Sequence, residues 1–226
     1  MAFRSSAFAS SSSAGDITAT PAGVTVDDYL SGIMVIDGFG GTITVPTSWT
    51  QRVNNDQANP NGQNMRYGDK IATGSDNFLW NFSGAADGAV INAAHSGRNT
   101  SAPRTGVTGQ QVTTLQASPM TVSHTGQTAA QGDDILYYSQ TDQDVGTDQW
   151  SYSTITDYTS RHNDSSHVWM CLTLQTRDNV SAGATGTLSS TCTRTVGSFN
   201  SGSGTIVASI AAAGGGGGSS PMFRGS

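Results

Sequence analysis

Charge is scarce in this chain of 226 residues. Only 12% of them are Asp, Glu, Lys or Arg, about half the share usual in globular proteins, and Lys70 is the sole lysine. The ten basic residues are scattered, and the sixteen acidic ones leave a formal charge of −6. With no basic cluster to neutralise phosphates, a nucleic-acid footprint is excluded. No run of apolar residues is long enough for a membrane-spanning helix, so no membrane partner is expected. The opening Met1-Ala2-Phe3-Arg4 and its serines lack the apolar stretch of a secretory signal, which predicts synthesis in a cytoplasm. No window of eleven or more residues sustains a 3.6-residue apolar period, which excludes helical architectures. Cysteine is limited to Cys171 and Cys192. A turn read at 178–183 would set them opposite one another across a hairpin, and a reducing compartment would keep them as free thiols.

Ser, Thr, Asn, Gln and the 28 glycines cover the surface instead. Disordered chains usually combine low hydrophobicity with high net charge, and this chain does not. Its composition suits many tight turns between strands with hydroxyl-bearing faces.

The sequence also repeats itself. Val26-Asp27-Asp28-Tyr29-Leu30 returns as Gly132-Asp133-Asp134-Ile135-Leu136, and Trp49-Thr50-Gln51-Arg52-Val53-Asn54 as Tyr158-Thr159-Ser160-Arg161-His162-Asn163. Gly88–Ala94 returns as Gly204–Ile210. Strand-like blocks that persist while loops vary indicate a duplicated scaffold. The first half reads as strands over 30–36, 42–46, 49–54, 64–72, 77–82 and 89–95. The second reads as strands over 135–140, 150–159, 167–176, 186–195 and 205–211. Between them, 101–116 reads as polar and turn-rich.

About ten short strands with regular turn signals predict an all-β protein: a double-sheet, jelly-roll-like β-sandwich built from an internal tandem repeat, with extended N- and C-terminal arms. The expected boundaries are an arm at 1–20, a duplicated sandwich at 21–213 (halves about 21–100 and 117–213), and a Gly-rich tether with a C-terminal anchor at 214–226. The halves are expected to share one sandwich, since either alone would leave apolar faces and sheet edges uncovered.

The candidates for chemistry are few. The repeated Asp-Asp pairs cap turns or, less simply, hold calcium or exchange protons. Asp142, Asp144 and Asp148 have the alternation of a calcium loop, but Thr147 and Ser153 stand where an EF-hand needs Gly and a carboxylate, so an acidic hairpin loop is the favoured reading. His162 and His167 flank a carboxylate in a predicted loop, a polar segment before it is a metal site. No nucleophile elbow or phosphate cradle appears, and no catalytic or cofactor-binding residues are assigned. Trp49, Trp80, Trp150 and Trp169 fill a core or line a sugar-binding face, the former being the commoner use. Phe3 and Arg4 at one tip and Met222, Phe223 and Arg224 at the other suit pockets on a neighbouring protein.

Several blocks carry a resemblance: Met1-Ala2-Phe3-Arg4-Ser5-Ser6, Pro21-Ala22-Gly23-Val24 with Val26–Leu30, Pro46-Thr47-Ser48-Trp49-Thr50, and Ala93-Ala94-His95-Ser96-Gly97. Together they resemble the two-repeat β-sandwich structural proteins of tailed bacteriophages, of head decoration (cement) or minor tail type. Ser48 stands where that pattern has Gly, and His95 where it has Tyr. The resemblance implies a non-enzymatic virion structural protein, at the head or the tail. Made in the host bacterial cytoplasm, such a protein is expected to form homo-oligomers and to contact other virion proteins, the major capsid protein first. A capsid cement role is the leading expectation. A tail or tail-fibre component binding host surface glycans is the alternative.

Overall fold

Apolar runs without a helical period satisfy their backbone by pairing in sheets, and every regular element of the computed structural model is a strand. The structure describes residues 2–37, 41–56, 63–85, 87–142, 150–164, 170–194 and 200–213. The first half supplies β1 (Ala2–Ser11), β2 (Gly15–Thr18), β3 (Tyr29–Asp37), β4 (Thr42–Thr44), β5 (Thr50–Asp56), β6 (Gln63–Ile71), β7 (Leu79–Ser83) and β8 (Asp87–Ser96). The second supplies β9 (Arg104–Ala117), β10 (Met120–His124), β11 (Thr128–Ala129), β12 (Asp134–Asp142), β13 (Trp150–Tyr152), β14 (Thr159–Asp164), β15 (Met170–Arg177), β16 (Gly183–Ala184), β17 (Leu188–Arg194) and β18 (Asn200–Ile210).

The halves have the same topology. A five-stranded antiparallel sheet runs β1-β8-β3-β6-β5 in one and β9-β18-β12-β15-β14 in the other. A three-stranded sheet covers each, β2-β7-β4 and β10-β17-β13, and β11 pairs with β16 in a small extra ribbon. Each half is therefore its own two-sheet sandwich, rather than half of a shared one. The two large sheets then stack face to face. Their common core joins Tyr29, Ile33, Val35, Tyr67 and Ile91 to Leu136, Tyr138, Leu172, Leu174 and Ile206. Separate cores fill each half beneath its small sheet, around Trp80, Phe82 and Met34 in the first and around Tyr137, Leu188, Tyr152 and the two cysteines in the second. The large sheets are thus buried on both faces, which is why β3, β8 and β15 lack the apolar/polar alternation of a one-sided sheet. Contacts of β1 with β14 and of β9 with β5 give the stack a pseudo-two-fold arrangement.

The register of the duplication differs by one residue from the match of the Asp-Asp pairs. Asp28 Oδ2 accepts the Thr25 N–H at 2.8 Å, and Asp133 Oδ2 accepts the Ala130 N–H at 2.9 Å. Asp27 N bonds Ala72 O as Gly132 N bonds Val180 O, and both residues are left-handed, at φ 69° and 84°. Asp28 thus corresponds to Asp133, not Asp134. A one-residue slip would turn every β12 side chain to the wrong face. With the register corrected, Ile33 and Tyr138 both enter the shared core while Leu30 and Ile135 both enter the local core of their own half. The later match also moves by one, because Ile33 pairs with Ile91 and Tyr138 with Ile206. The Trp49 and Tyr158 blocks align as expected: both N–H groups close a turn, on Pro46 O and Ile155 O. Ser48 and Asp157 before them are left-handed at φ 69° and 66°, the conformation glycine adopts most easily.

Core volume is redistributed between the copies. A Cβ on Gly32 would run into Asn92 Oδ1 and lie 3.0 Å from the Trp80 ring. Trp80 Nε1 donates to Asn92 Oδ1 at 3.0 Å, and Asn92 Nδ2 donates to Ala19 O at 2.8 Å. At the corresponding positions the second half has Tyr137 for Gly32 and Val207 for Asn92. The Tyr137 ring enters the space from the sheet below, with its hydroxyl donating to Val122 O at 3.3 Å.

Three segments depart from the sequence reading. The segment expected as an N-terminal arm begins with β1, which pairs with β8 from Ala2↔Ser96 to Ser11↔Gly88, and continues into β2. The segment read as turn-rich is mostly β9, paired with β18, followed by β10. In place of the strand read over 150–159 are β13, a turn at Ile155–Tyr158, and β14. Cys171 and Cys192 are buried free thiols that do meet, but between two sheets, from β15 and β17, rather than across a hairpin. The expected tether and anchor at 214–226 lie outside the described residues.

Two outcomes follow from the packing. Residues 1–103 alone would expose Tyr29, Ile33, Val35, Met65, Tyr67 and Ile91, so the fragment should aggregate; a dispersed, cooperatively melting fragment would contradict the shared core. Gly32→Ala should lower stability by about 1–3 kcal/mol, seen as a drop in Tm, and an unchanged Tm would show that Asn92 and Trp80 yield without cost.

Candidate functional site

The N-terminal anchor candidates are engaged within the chain. Phe3 packs on the shared core, edge-on to His95 at 5.5 Å, with the Arg161 guanidinium 4.3 Å above its ring. Arg4 pairs with Asp28 at 2.8 Å. The carboxylates of the repeated Asp-Asp blocks do structural work: Asp28 and Asp133 cap turns, and Asp133 also accepts from Thr105 and Ser209 hydroxyls. Trp49 and Trp80 are core residues, and the Trp150 and Trp169 side chains lie outside the described set. His162 stacks on Phe8 at 4.8 Å, while His167 is not among the described residues. Asp142 ends β12, but its side chain, Asp144 and Asp148 lie outside the description, as do Met222, Phe223 and Arg224. Among the described residues no three His, Cys, Asp or Glu side chains converge as a metal site.

Polar chemistry concentrates at the seam between the large sheets. Tyr29 donates to Asp69 Oδ2 at 2.8 Å, and its oxygen lies 2.9 Å from the Tyr67 hydroxyl. Since Tyr29 has spent its one proton on Asp69, Tyr67 is the donor to Tyr29. Burial first, then neighbouring Tyr67 and Asp69, pushes the Tyr29 phenol well above its ordinary value; burial and Asp69 do the same to Tyr67. Both stay protonated, as this donor chain requires. Ser31 Oγ and the Tyr138 hydroxyl, 2.8 Å apart, link the halves directly.

A second buried cluster holds Arg98, which pairs with Asp134, and His95, whose Nδ1 lies 4.0 Å from Asp134 Oδ2. Burial raises Asp134, and Arg98 pulls it back only in part. Burial, then Arg98 and Arg161, holds His95 well below its ordinary 6.5, so it is neutral.

At the edge of the seam lies an open groove of about 460 Å³, lined by residues of β5, β6 and the start of β9. Arg52 Nε donates to Asp69 Oδ1 at 3.0 Å, and Arg104 Nε lies 2.6 Å from Asp69 Oδ2. Lys70 Nζ is 2.6 Å from Asp76 and donates to Ser48 Oγ at 3.2 Å. Burial tends to raise Asp76, but Lys70 and the Thr73 and Gly74 N–H groups outweigh it and hold the carboxyl below its ordinary value. Asp69 itself is buried, whereas the Arg52 and Arg104 side chains are 31% and 22% exposed. Two guanidinium groups thus share one carboxylate, and the groove carries a positive charge in excess.

Sequence reasoning did not single out this constellation. The signal available was Arg52, inside the repeated Trp49 block, together with the sole lysine. Comparison of the chain with protein-family models, curated proteins and solved structures finds no match.

His95 yields a pH prediction. Its folded-state value is depressed, so the folded protein stays neutral while the unfolded chain takes up a proton as pH falls through 6.5. Stability is therefore full above that value and declines below it, by about 1.4 kcal/mol per pH unit for one histidine. His124, lowered by burial, acts in the same sense, and the raised Asp134 opposes both. His95→Ile, which copies Ile210 of the second half, should flatten the fall in Tm between pH 7 and about 5.5. Equal slopes in the two proteins would refute the assignment.

Proposed function

We propose that the protein is a non-enzymatic structural component of a bacteriophage particle, a capsid cement protein that stabilises the head through contacts with the major capsid protein and with copies of itself. The observation that carries this reading is the use made of the ionisable groups. Asp28 and Asp133 cap turns, Arg98 and Asp134 pair between the halves, and the Tyr29–Tyr67–Asp69 chain ends on Arg104 of the other half. What they build is a rigid duplicated block rather than a reaction centre. The described surface exposes two large apolar side chains, Val26 and Leu79, so attachment falls to polar contacts and to the terminal segment. The described residues end at Ala213, whose N–H bonds Gly97 O beside the linker between halves. The composition of 214–226, a glycine run followed by Met222, Phe223 and Arg224, suits a tether with an anchor, and many weak tethers acting together can strengthen a shell.

The tail or tail-fibre reading keeps one point in its favour, the hydroxyl- and cation-lined groove. Labelling the protein in intact particles separates the two, since cement places the label over the head and a fibre component places it on the tail. Deleting 214–226 should leave the Tm of the isolated protein nearly unchanged yet lower its occupancy on particles and their resistance to heat. Full occupancy with unchanged heat resistance would remove the tether from the mechanism.

A further inference from the structure

The duplication supplies an internal control for the groove. Arg52 in β5 corresponds to Arg161 in β14, and each lies at a bulge, between Gln51 and Val53 or between Ser160 and His162. Thr50 pairs with Asp69 as Thr159 pairs with Thr176, so Asp69 corresponds to Thr176. Phe3 pairs with His95 next to a bulge in β1, and Arg104 pairs with Ile210 next to the matching bulge in β9, so Arg104 corresponds to Phe3. In the second copy the position is closed. Arg161 gives Nε to Thr176 Oγ1 and Nη2 to Asp178 Oδ2, both at 2.8 Å, and its flat face is covered by the Phe3 ring. In the first copy the plug is replaced by a second guanidinium, and the groove is open. Arg52 and Arg104 both turn Nε to Asp69, and neither has a further partner among the described residues. Their terminal nitrogens are left as two forks beside the same cavity.

We propose that this groove is a binding site for the oxyanion of a hydroxyl-rich ligand, a carboxylate or phosphate carried on a sugar. Paired guanidinium forks match the planar, bidentate demand of such groups. Asp69 neutralises one of the two guanidinium groups and leaves the other's charge for the ligand. Ser48, Thr50 and Ser101 supply hydroxyls around the anion, whereas the Thr73 hydroxyl donates to Asp76. The volume fits one or two sugar units, within the range of small-molecule sites. The groove's lining includes no aromatic ring, so the anion rather than a stacked sugar face is the anchor. The proposal rests on the groove and not on where in a particle the protein resides.

The test titrates the isotopically labelled full-length chain at low salt with galacturonate, glucose 6-phosphate and glucose, following backbone amide shifts. Galacturonate or glucose 6-phosphate should give saturable shifts at Thr50, Ser101 and Arg104 with a Kd of about 1 mM or tighter. Whichever of the two binds more tightly identifies the oxyanion as carboxylate or phosphate, and glucose should give none. Raising the salt should weaken binding several-fold. Arg52→Gln should weaken it about tenfold or more without loss of the folded spectrum. Because Arg104 also joins the halves, the second variant is Asp69→Thr with Arg104→Phe, which copies the closed groove of the other half. It should fold and bind neither probe. The proposal is overturned if neither anionic probe gives saturable shifts up to about 10 mM, ten times that Kd. It is equally overturned if glucose binds as well as they do, or if Arg52→Gln binds as tightly as the parent chain.

Discussion

The stacking of two five-stranded sheets against one another is the constraint on which the rest depends. A sheet with one wet face tolerates polar residues at every second position. Here β3, β8 and β15 have no wet face, because a small sheet covers one side and the other half covers the second. Each residue of these strands must suit one of two cores. Ile33 and Val35 serve the shared core, and Leu30, Met34 and Ile36 serve the local one. The same geometry makes the halves interdependent, since the largest single cluster draws residues from both. The tandem repeat is thus less a pair of beads than a two-fold dimer joined in one chain.

Burying the seam forces its polar groups to find partners inside it. A buried ion pair seldom gains much over a well-packed apolar pair, but losing one partner is costly. Asp134 and Arg98 are both fully buried, as are Tyr29, Tyr67 and Asp69. Arg104, from the second half, reaches Asp69 of the first. Such pairs work as registry marks, because a slipped or rotated stack would leave each carboxylate unpaired. His95 is the exception: it is fully buried with neither ring nitrogen bonded among the described residues. Its counterpart Ile210 shows that an apolar side chain serves there, so His95 is where the seam gives up stability on acidification.

The sequence was most legible where apolar side chains fill two cores and least where small or polar side chains suffice. The central strands stood out as apolar runs, and the Trp49 and Tyr158 blocks aligned because a shared left-handed turn fixes them. The edge strands β1 and β9 did not. Their sequences, AFRSSAFASS and RTGVTGQQVTTLQA, are dominated by Ser, Ala, Thr and Gln. An edge strand needs apolar residues only at the few points that touch a core: Phe3 and Phe8 in one, Val107 in the other. The bulges in these strands further break the alternation that would have marked them. The register error has the opposite origin. Two adjacent aspartates in each copy allow two alignments, and identity alone favours the wrong one. The backbone decides that Asp28 matches Asp133: the Thr25 and Ala130 N–H bonds to these carboxylates, and the matching Asp27 and Gly132 N–H bonds before them.

A duplicated scaffold can vary one copy while the other continues to hold the fold, and the two seam edges differ in that way. On one edge Phe3 and Arg161 make a closed contact between halves, a cation over an aromatic face that excludes water from the end of the shared core. On the other, Arg104 holds the halves together through Asp69, which Arg52 also binds, and leaves space above. The structural duty is the same, joining a β-edge of one half to a β-edge of the other. The aromatic solution completes it and ends there. The ionic solution completes it while leaving charge and volume over, on a chain whose net charge is negative and whose cations are few. An edge that served only to join the halves would be met more simply by the closed arrangement already present in the same molecule. The open edge is therefore where the duplicated fold has room for a role beyond its own cohesion.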